Sequence, residues 1–143
     1  MSSLSYNATV TASSQNNDTQ QYCNNVINGL IVGFPYRNDL FNFYSNEWAT
    51  LGEIAGAWVQ LSWQTPIEAN RIILYDRPNF TEQIIRATLT FSNGSNIGIG
   101  PLVNNGSPYI INFPRKTFSW VKLTLVEGAG YNIGLSEFEV YLI

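Results

Sequence analysis

Residues 58–63 read Trp-Val-Gln-Leu-Ser-Trp, so that Val59, Leu61 and Trp63 are separated by polar residues. Successive side chains of an extended chain point to opposite faces, and a period of two therefore places these three apolar side chains together. The stretch is predicted to be a β-strand with one face in the core and the other toward solvent.

The same alternation recurs along the chain, and no helical period persists for ten residues. Alternating or β-rich stretches predict further strands at residues 8–12, 69–75, 86–92, 96–100, 109–113, 121–125 and 137–142. Turn signals between them occur at residues 64–66, 93–94, 104–106, 114–115 and 128–130. Seven or eight short strands at this spacing predict an all-β sandwich or barrel, with at most one helical turn near residues 22–26.

The composition excludes several classes of protein. The 143 residues, which predict one domain over residues 1–143, contain no histidine, so catalytic pairs and zinc sites that need it are excluded. Cys23 is the only cysteine, which excludes a disulfide within the chain. A net charge of −3 without a basic stripe argues against nucleic-acid binding. No apolar stretch approaches the roughly 20 residues of a membrane span.

Uncharged polar residues replace the missing charge. Charged residues make up 12% of the chain, against about 25% in an average domain, while asparagine occurs 17 times and aromatic residues make up 14%. Amides and aromatic rings together suit a surface that recognises uncharged polar ligands, of which sugars are the obvious class. Asparagine is also a common turn residue, because its side chain bonds the local backbone, and the composition leaves both interpretations open.

One segment, residues 29–46, is long for a connection. Connections beyond about 12–15 residues are usually functional when they are ordered. We expect some of its aromatic side chains to cap one end of the core and one or two to face solvent, with Tyr44 a candidate ligand contact. The aromatic residues are Phe34, Tyr36, Phe41, Phe43 and Tyr44.

Six short motifs occur in a characteristic order. They are Val-Thr-Ala-Ser-Ser (10–14), Asn-Val-Ile-Asn-Gly (25–29), Glu-Trp-Ala-Thr (47–50), Gly-Ala-Trp-Val-Gln-Leu (56–61), Asn-Arg-Ile-Ile-Leu-Tyr-Asp-Arg-Pro-Asn (70–79) and Gly-Leu-Ser-Glu-Phe-Glu-Val-Tyr (134–141). Over about residues 7–142 they resemble the discoidin family, also called coagulation-factor type C domains. Within it they most resemble family 32 carbohydrate-binding modules and related lectin-like domains.

The resemblance implies a galactose-binding-like jelly roll of two antiparallel sheets, with three and five strands, and a ligand site in loops at one end. The ligand-binding candidates at matching positions are Asp76, Arg77, Asn79, Gln83, Tyr131 and Asn132. Galactose-binding members often carry a histidine where this chain has Ala49, so the resemblance does not specify galactose.

Two of these residues have structural alternatives. Arg77 could pin its loop through a salt bridge to Asp76 or Glu82, and Tyr131 could pack beneath its glycine-rich loop. Trp48 and Trp63 are expected to lie in the core.

The resemblance also implies a structural calcium ion beside the ligand site. The matching positions are Asn28, Asn46, Ser136 and Glu137. Calcium prefers six to eight oxygen ligands and accepts amide and backbone carbonyls as well as carboxylates. Asn28 stands where the family usually has aspartate, and Asp39 could compensate if the long loop folds back. Alternatively, Glu137 binds the loop amides and no ion is present.

We therefore expect a non-catalytic carbohydrate-binding protein, either a lectin or a detached binding module. The alternatives are a discoidin-type domain that binds a protein or a membrane surface and, less favoured, a glycosidase with two carboxylates. A homo-oligomer would raise the avidity of a weak site. The first six residues lack a basic n-region and an apolar h-region, so a cytoplasmic protein, or a secreted one without a recognisable signal peptide, is expected.

Overall fold

The computed structural model describes residues 2–31 and 44–143, and its regular structure is almost entirely β. The expectations for Asp39, Phe34, Tyr36, Phe41 and Phe43 lie outside the described residues. The strands are β1 (Thr9–Ala12), β2 (Trp48–Ala49), β3 (Trp58–Tyr75), β4 (Gln83–Phe91), β5 (Asn96–Ile99), β6 (Pro108–Ala129), β7 (Gly134–Leu135) and β8 (Glu137–Tyr141). Short 3-10 helices span Leu4–Asn7, Cys23–Ile27 and Tyr44–Asn46.

The all-β prediction is confirmed. A 3-10 helix lies at Cys23–Ile27, near the predicted position, but the expectation of at most one helical turn was wrong, because two further 3-10 helices are present. No helix in the described ranges is long and apolar enough to cross a membrane.

Two long strands, β3 and β6, serve both layers of the sandwich. Each pairs with the other along most of its length, in antiparallel register. The first half of β3 pairs with β1 and the second half of β6 with β4, which pairs in turn with β5, giving a five-stranded layer. The second half of β3, the first half of β6 and β8 form a three-stranded layer. The expected division into three and five strands is therefore confirmed.

The turn signals at residues 64–66 and 114–115 were wrong predictions, because the chain continues there as one strand. Pro66 lies in a bulge where residues 63–66 oppose the single residue Ser119, and Pro114 lies in a bulge where residues 113–115 oppose Asn70. Proline has no N–H to donate to a ladder, and a bulge is the place in a strand that tolerates this loss. The bends let each strand pass from one layer to the other.

The core lies between the layers and is built from the alternating residues. Val59, Leu61 and Trp63 are buried, and so is Trp48, as expected. The indole N–H groups of Trp48 and Trp63 donate to the carbonyls of Ser14 and Leu4, each at 2.9 Å, so neither ring leaves a buried donor unpaired. β8 departs from the half-buried pattern, because Glu137 and Glu139 on its other face are also buried.

The two-residue strands β2 and β7 bring two loops together. Trp48 pairs with Leu135 and Ala49 with Gly134, and the backbone N–H of Thr50 donates to the carbonyl of Ile133 at 2.8 Å, so residues 48–50 lie beside residues 133–135. A Cβ atom at Gly134 would lie 1.7 Å from the carbonyl oxygen of Trp48. Only glycine allows this close approach of two backbones.

We expect Gly134→Ala to destabilise the protein by about 3 kcal/mol or more, because the β2–β7 pair must separate to admit the methyl group. Gly98→Ala, in β5, is the matched control, since nothing lies within 4 Å of its added Cβ. Urea unfolding of both variants measures the difference. Equal stabilities would contradict the close approach of β2 and β7.

Candidate functional site

A strongly polar depression of about 310 Å³ opens where four loops meet. The loops follow β1, precede β2, connect β3 to β4 and connect β6 to β7. The lining residues are Asn16, Thr19, Gln21, Tyr44, Arg77, Asn79, Thr81, Glu82 and Asn132. Four of them, namely Tyr44, Arg77, Asn79 and Asn132, are among the predicted ligand contacts, and the structure brings these four together.

Arg77 lies at the base of the depression and is only 3% exposed. Its Nη2 donates to Oε1 of Glu82 at 2.8 Å and to the carbonyl of Asn132 at 3.4 Å, and its Nη1 donates to Oε2 of Glu47 at 3.4 Å. Its Nε is buried and has no hydrogen-bond partner in the described part of the chain. The guanidinium group therefore joins three loops. The sequence analysis gave a salt bridge to Glu82 as one alternative to ligand binding by Arg77, and that salt bridge is present.

Glu82 fixes the loop that carries the aromatic candidate Tyr131. Its Oε2 accepts the backbone N–H groups of Tyr131 at 3.3 Å and Asn132 at 3.0 Å, and also Nδ2 of Asn132 at 3.3 Å. Burial alone would raise the pKa of Glu82, but the hydrogen bond and charge of Arg77, with these amides, lower it below the ordinary value. Glu82 is therefore an ionised anchor.

Two further carboxylates lie behind the depression, and both are almost completely buried. Oε2 of Glu47 accepts from Nε2 of Gln21 at 2.7 Å; burial raises the pKa of Glu47, although Arg77 opposes this. Asp76 accepts the backbone N–H groups of Arg77 and Ile84 at 2.8 and 2.9 Å. Burial raises the pKa of Asp76 to about 7 in spite of these bonds and of Arg77. Two carboxylates, Glu47 and Glu82, thus contact the guanidinium group, while Asp76 binds backbone amides beside it. The charge of Arg77 is therefore already engaged by protein groups.

Three predicted contacts lie outside the lining. Asp76 is beneath the surface, where it joins the end of β3 to β4. Gln83 donates from Nε2 to the carbonyl of Leu102 at 2.6 Å and so anchors the loop between β5 and β6. The side chain of Tyr131 is 86% exposed, so it does not pack beneath its glycine-rich loop.

The sequence analysis did not predict that five further residues would line the depression. These residues are Asn16, Thr19, Gln21, Thr81 and Glu82. The polar run at residues 15–21 was a weak signal, because such residues also form ordinary turns.

The four predicted calcium positions come into one region. Nδ2 of Asn28 donates to Oδ1 of Asn46 at 3.1 Å, and the backbone N–H of Gly29 donates to Oε2 of Glu137 at 2.8 Å. Ser136, next to Glu137, donates its backbone N–H to the carbonyl of Tyr75 at 2.7 Å.

Glu137 is completely buried, and its Oε1 has no hydrogen-bond partner in the described ranges. Burial, with a smaller effect of the charge on Glu139, raises the pKa of Glu137 to about 9. The described residues contain no group of three or more histidine, cysteine or acidic side chains placed so that they could hold a metal ion. An ion here would therefore rely largely on amide and backbone oxygens.

Residues 3–141 match the model of a family described as "Domain of unknown function (DUF7402)". Among curated proteins, none matches the sequence.

Several solved structures share the fold. A fucose-binding module of Streptococcus pneumoniae, SpX-3, has 18% identity and a TM-score of 0.77, covering 100% of this chain and 99% of the module. The module CpGH89CBM32-5 of Clostridium perfringens, in complex with GalNAc-β-1,3-galactose, has 21% identity and a TM-score of 0.75, covering 98% and 99%. The F-lectin (fucolectin) from the serum of Morone saxatilis, the striped bass, has 17% identity and a TM-score of 0.75, covering 97% of this chain and 48% of the lectin. The fold is thus the discoidin-like jelly roll that the sequence motifs predicted.

We expect Arg77→Ala to destabilise the protein by about 3–5 kcal/mol, because it leaves Glu47 and Glu82 without their buried counter-charge. Arg86→Ala is the control: Arg86 pairs with Glu127 at 3.0 Å, but both side chains are more than half exposed. Its loss should cost less than about 1 kcal/mol. Urea unfolding compares the two, and an Arg77→Ala protein as stable as the wild type would refute the structural role of the cluster.

Proposed function

We propose that this chain, which belongs to the family described as a domain of unknown function (DUF7402), is a non-catalytic carbohydrate-binding domain. The observation that carries the proposal is the lining of the depression, which is made almost entirely of amides, hydroxyls and one engaged ion cluster. Proteins with the same fold include a fucose-binding module and a module in complex with GalNAc-β-1,3-galactose, which supports the proposal.

The chemistry of the lining matches the surface of a sugar. A pyranose presents a ring of hydroxyls, which need donors and acceptors held in fixed geometry, and patches of C–H, which need an aromatic face. Asn132 is held in place by the backbone N–H of Gly52, which donates to its Oδ1 at 2.8 Å, and by its own bond to Glu82. Tyr131, exposed on the same loop as Asn132, offers an aromatic face, and Glu82 fixes the backbone of that loop by accepting the N–H of Tyr131.

The charges beneath the site favour some sugars over others. Arg77 is the only cation among the described residues that line the depression, and Glu47 and Glu82 already engage it. A uronate or a sialate would bring a further negative charge beside the ionised Glu82, and Arg77 is already engaged and not free to receive it. The proposed ligand is therefore a neutral sugar.

The carboxylates of the depression are poorly suited to glycoside hydrolysis. That reaction needs two carboxyl groups flanking the bond, one of them a protonated acid. Both oxygens of Glu82 accept hydrogen bonds, and its pKa is lowered, so it would not supply a proton. Glu47 is buried and faces Gln21 and Arg77 instead of the opening.

We expect a neutral glycan array to give signals for the wild-type protein and none for Tyr131→Ala, because the exposed ring supplies the stacking face. Both proteins should melt at the same temperature. For a monosaccharide, calorimetry should give a dissociation constant of roughly 0.1–1 mM, as a shallow site with one aromatic contact would give. Ile110→Ala, which removes an exposed apolar side chain of β6 outside the depression, is the control and should bind normally.

Cosedimentation with anionic liposomes tests the alternative of a membrane-binding domain. Liposome binding by wild type together with a blank glycan array would overturn the carbohydrate proposal and favour that alternative.

A structural calcium ion at Glu137 is a second element of the proposal. Oε1 of Glu137, which has no hydrogen-bond partner among the described residues, is a buried acceptor that a cation would satisfy, and Asn28, Asn46 and Ser136 could supply further oxygen ligands. Such an ion would stabilise the ionised carboxylate and fix the chain at residues 28–30 beside the depression.

Millimolar calcium should raise the melting temperature at pH 7.5 relative to EDTA, because the ion binds the folded state alone. Glu137→Gln should abolish this shift. Glu127→Gln, which alters an exposed carboxylate, should retain it. A wild-type protein that melts at the same temperature in calcium and in EDTA would refute the calcium site and leave the carbohydrate proposal untouched.

A further inference from the structure

A second cleft, of about 240 Å³, adjoins the polar depression. It is lined by Pro78, Asn79, Phe80, Asn104 and Asn105. Asn79 lines both the cleft and the depression, so the two share a wall. None of the residues lining this cleft is charged.

Phe80 is unusual among the aromatic residues of the described chain, because its side chain is fully exposed, at 105% of the reference value. Water contact with a whole phenyl ring is unfavourable. The loop that carries the ring is nevertheless held by side-chain hydrogen bonds. Oδ1 of Asn79 accepts three donors: the backbone N–H and hydroxyl of Thr81, at 2.9 and 3.1 Å, and the backbone N–H of Glu82, at 3.0 Å. The ring is therefore presented by a fixed turn.

The opposite wall of the cleft is fixed as well. The backbone N–H of Asn79 donates to the carbonyl of Asn104 at 3.0 Å, and Nδ2 of Asn104 donates back to the carbonyl of Asn79 at 2.5 Å. Behind this clamp, Leu102 is buried and its N–H donates to the carbonyl of Ile84 at 3.1 Å, while Gln83 holds the carbonyl of Leu102. The cleft is built before any ligand arrives.

Two side-chain amides at the cleft each have a polar atom without a hydrogen bond to the described residues. Asn105 uses its Oδ1 to accept from the backbone and hydroxyl of Ser107, and its Nδ2 donates to none of the described residues. Asn104 uses its Nδ2 in the clamp, and its Oδ1 accepts from none of them. An exposed aromatic face beside a free donor and a free acceptor is the combination that the C–H and hydroxyl surfaces of a sugar require.

We propose that the Phe80 cleft is a second sugar subsite, so that the ligand is a neutral oligosaccharide of at least two residues. One residue occupies the polar depression, and the adjoining residue stacks on Phe80 and bonds Asn104 and Asn105. This inference rests on the proposed function. Both cavities are at or below the lower end of the roughly 300–1,000 Å³ of drug-sized ligand sites, which suits one ring in each and not a whole oligosaccharide in either.

The test is a neutral glycan array in which each monosaccharide is printed beside its di- and trisaccharides on one linker. Wild-type protein should bind the longer glycans about tenfold more strongly than the corresponding monosaccharide. Phe80→Ala should lower the di- and trisaccharide signals to the monosaccharide level and leave the monosaccharide signal unchanged. Val103→Ala is the matched control, because Val103 is exposed on the facing loop but does not line the cleft.

The possible results separate the two proposals. A Phe80→Ala protein with the wild-type pattern, or with all signals reduced in equal proportion, overturns the second subsite and leaves carbohydrate binding intact. A wild-type protein that binds no glycan overturns the proposed function itself. Because Phe80 is fully exposed, the variant should melt like the wild type, and this result would exclude unfolding as the cause of lost binding.

Discussion

The buried guanidinium group of Arg77 is the interaction on which the loops of this protein depend. It joins the chain before β2, through Glu47, to the loop after β3, through Glu82, and to the loop before β7, through Asn132. An isolated buried charge is costly, so each partner is needed to hold the others in the folded state. The walls of the depression are therefore positioned by electrostatics, while the sandwich beneath them is positioned by apolar packing.

This division between charge interactions in the loops and apolar packing in the sandwich explains how a polar site can hold its loops in one conformation. Amide groups alone would leave the loops free to exchange hydrogen bonds with water. Glu82 removes that freedom, because its two oxygens together bind the guanidinium group and the backbone of the loop that carries Tyr131. Ordering the loops in advance lowers the entropy that a weak ligand must overcome on binding. Asp76 extends the same principle to the end of β3, where it holds two backbone amides.

The sequence was most informative where side chains follow a backbone period. The alternation at Val59, Leu61 and Trp63 predicted both the strand and its buried face, and the family resemblance of the ordered motifs implied the division into three and five strands. The prolines at 66 and 114 led to wrong predictions of turns, because a proline in a bulge of a continuous strand has the same local sequence pattern as a proline in a turn. The sequence also could not predict that Glu137 and Glu139 are buried, because the short helices that pack against β8 are distant from it in sequence.

For the site, the sequence could identify Arg77 but could not distinguish a residue that touches a ligand from one that holds the loops. That distinction depends on how two glutamates, 30 and 5 residues away, fold around it. Phe80 carried no periodic signal at all, because it lies on a turn, and its exposure emerges only from the three-dimensional arrangement of the two loops.

The turn that presents Phe80 has a consequence for how the protein is produced. Residues 79–81 read Asn-Phe-Thr and residues 105–107 read Asn-Gly-Ser, so each wall of the second cleft contains an acceptor sequence for N-linked glycosylation. A host that modifies such sequences would attach branched chains to the rim of the cleft, where they would cover Phe80 or occupy the cleft themselves. Protein from such a host and protein from a bacterium would then share one fold and differ in what they can bind.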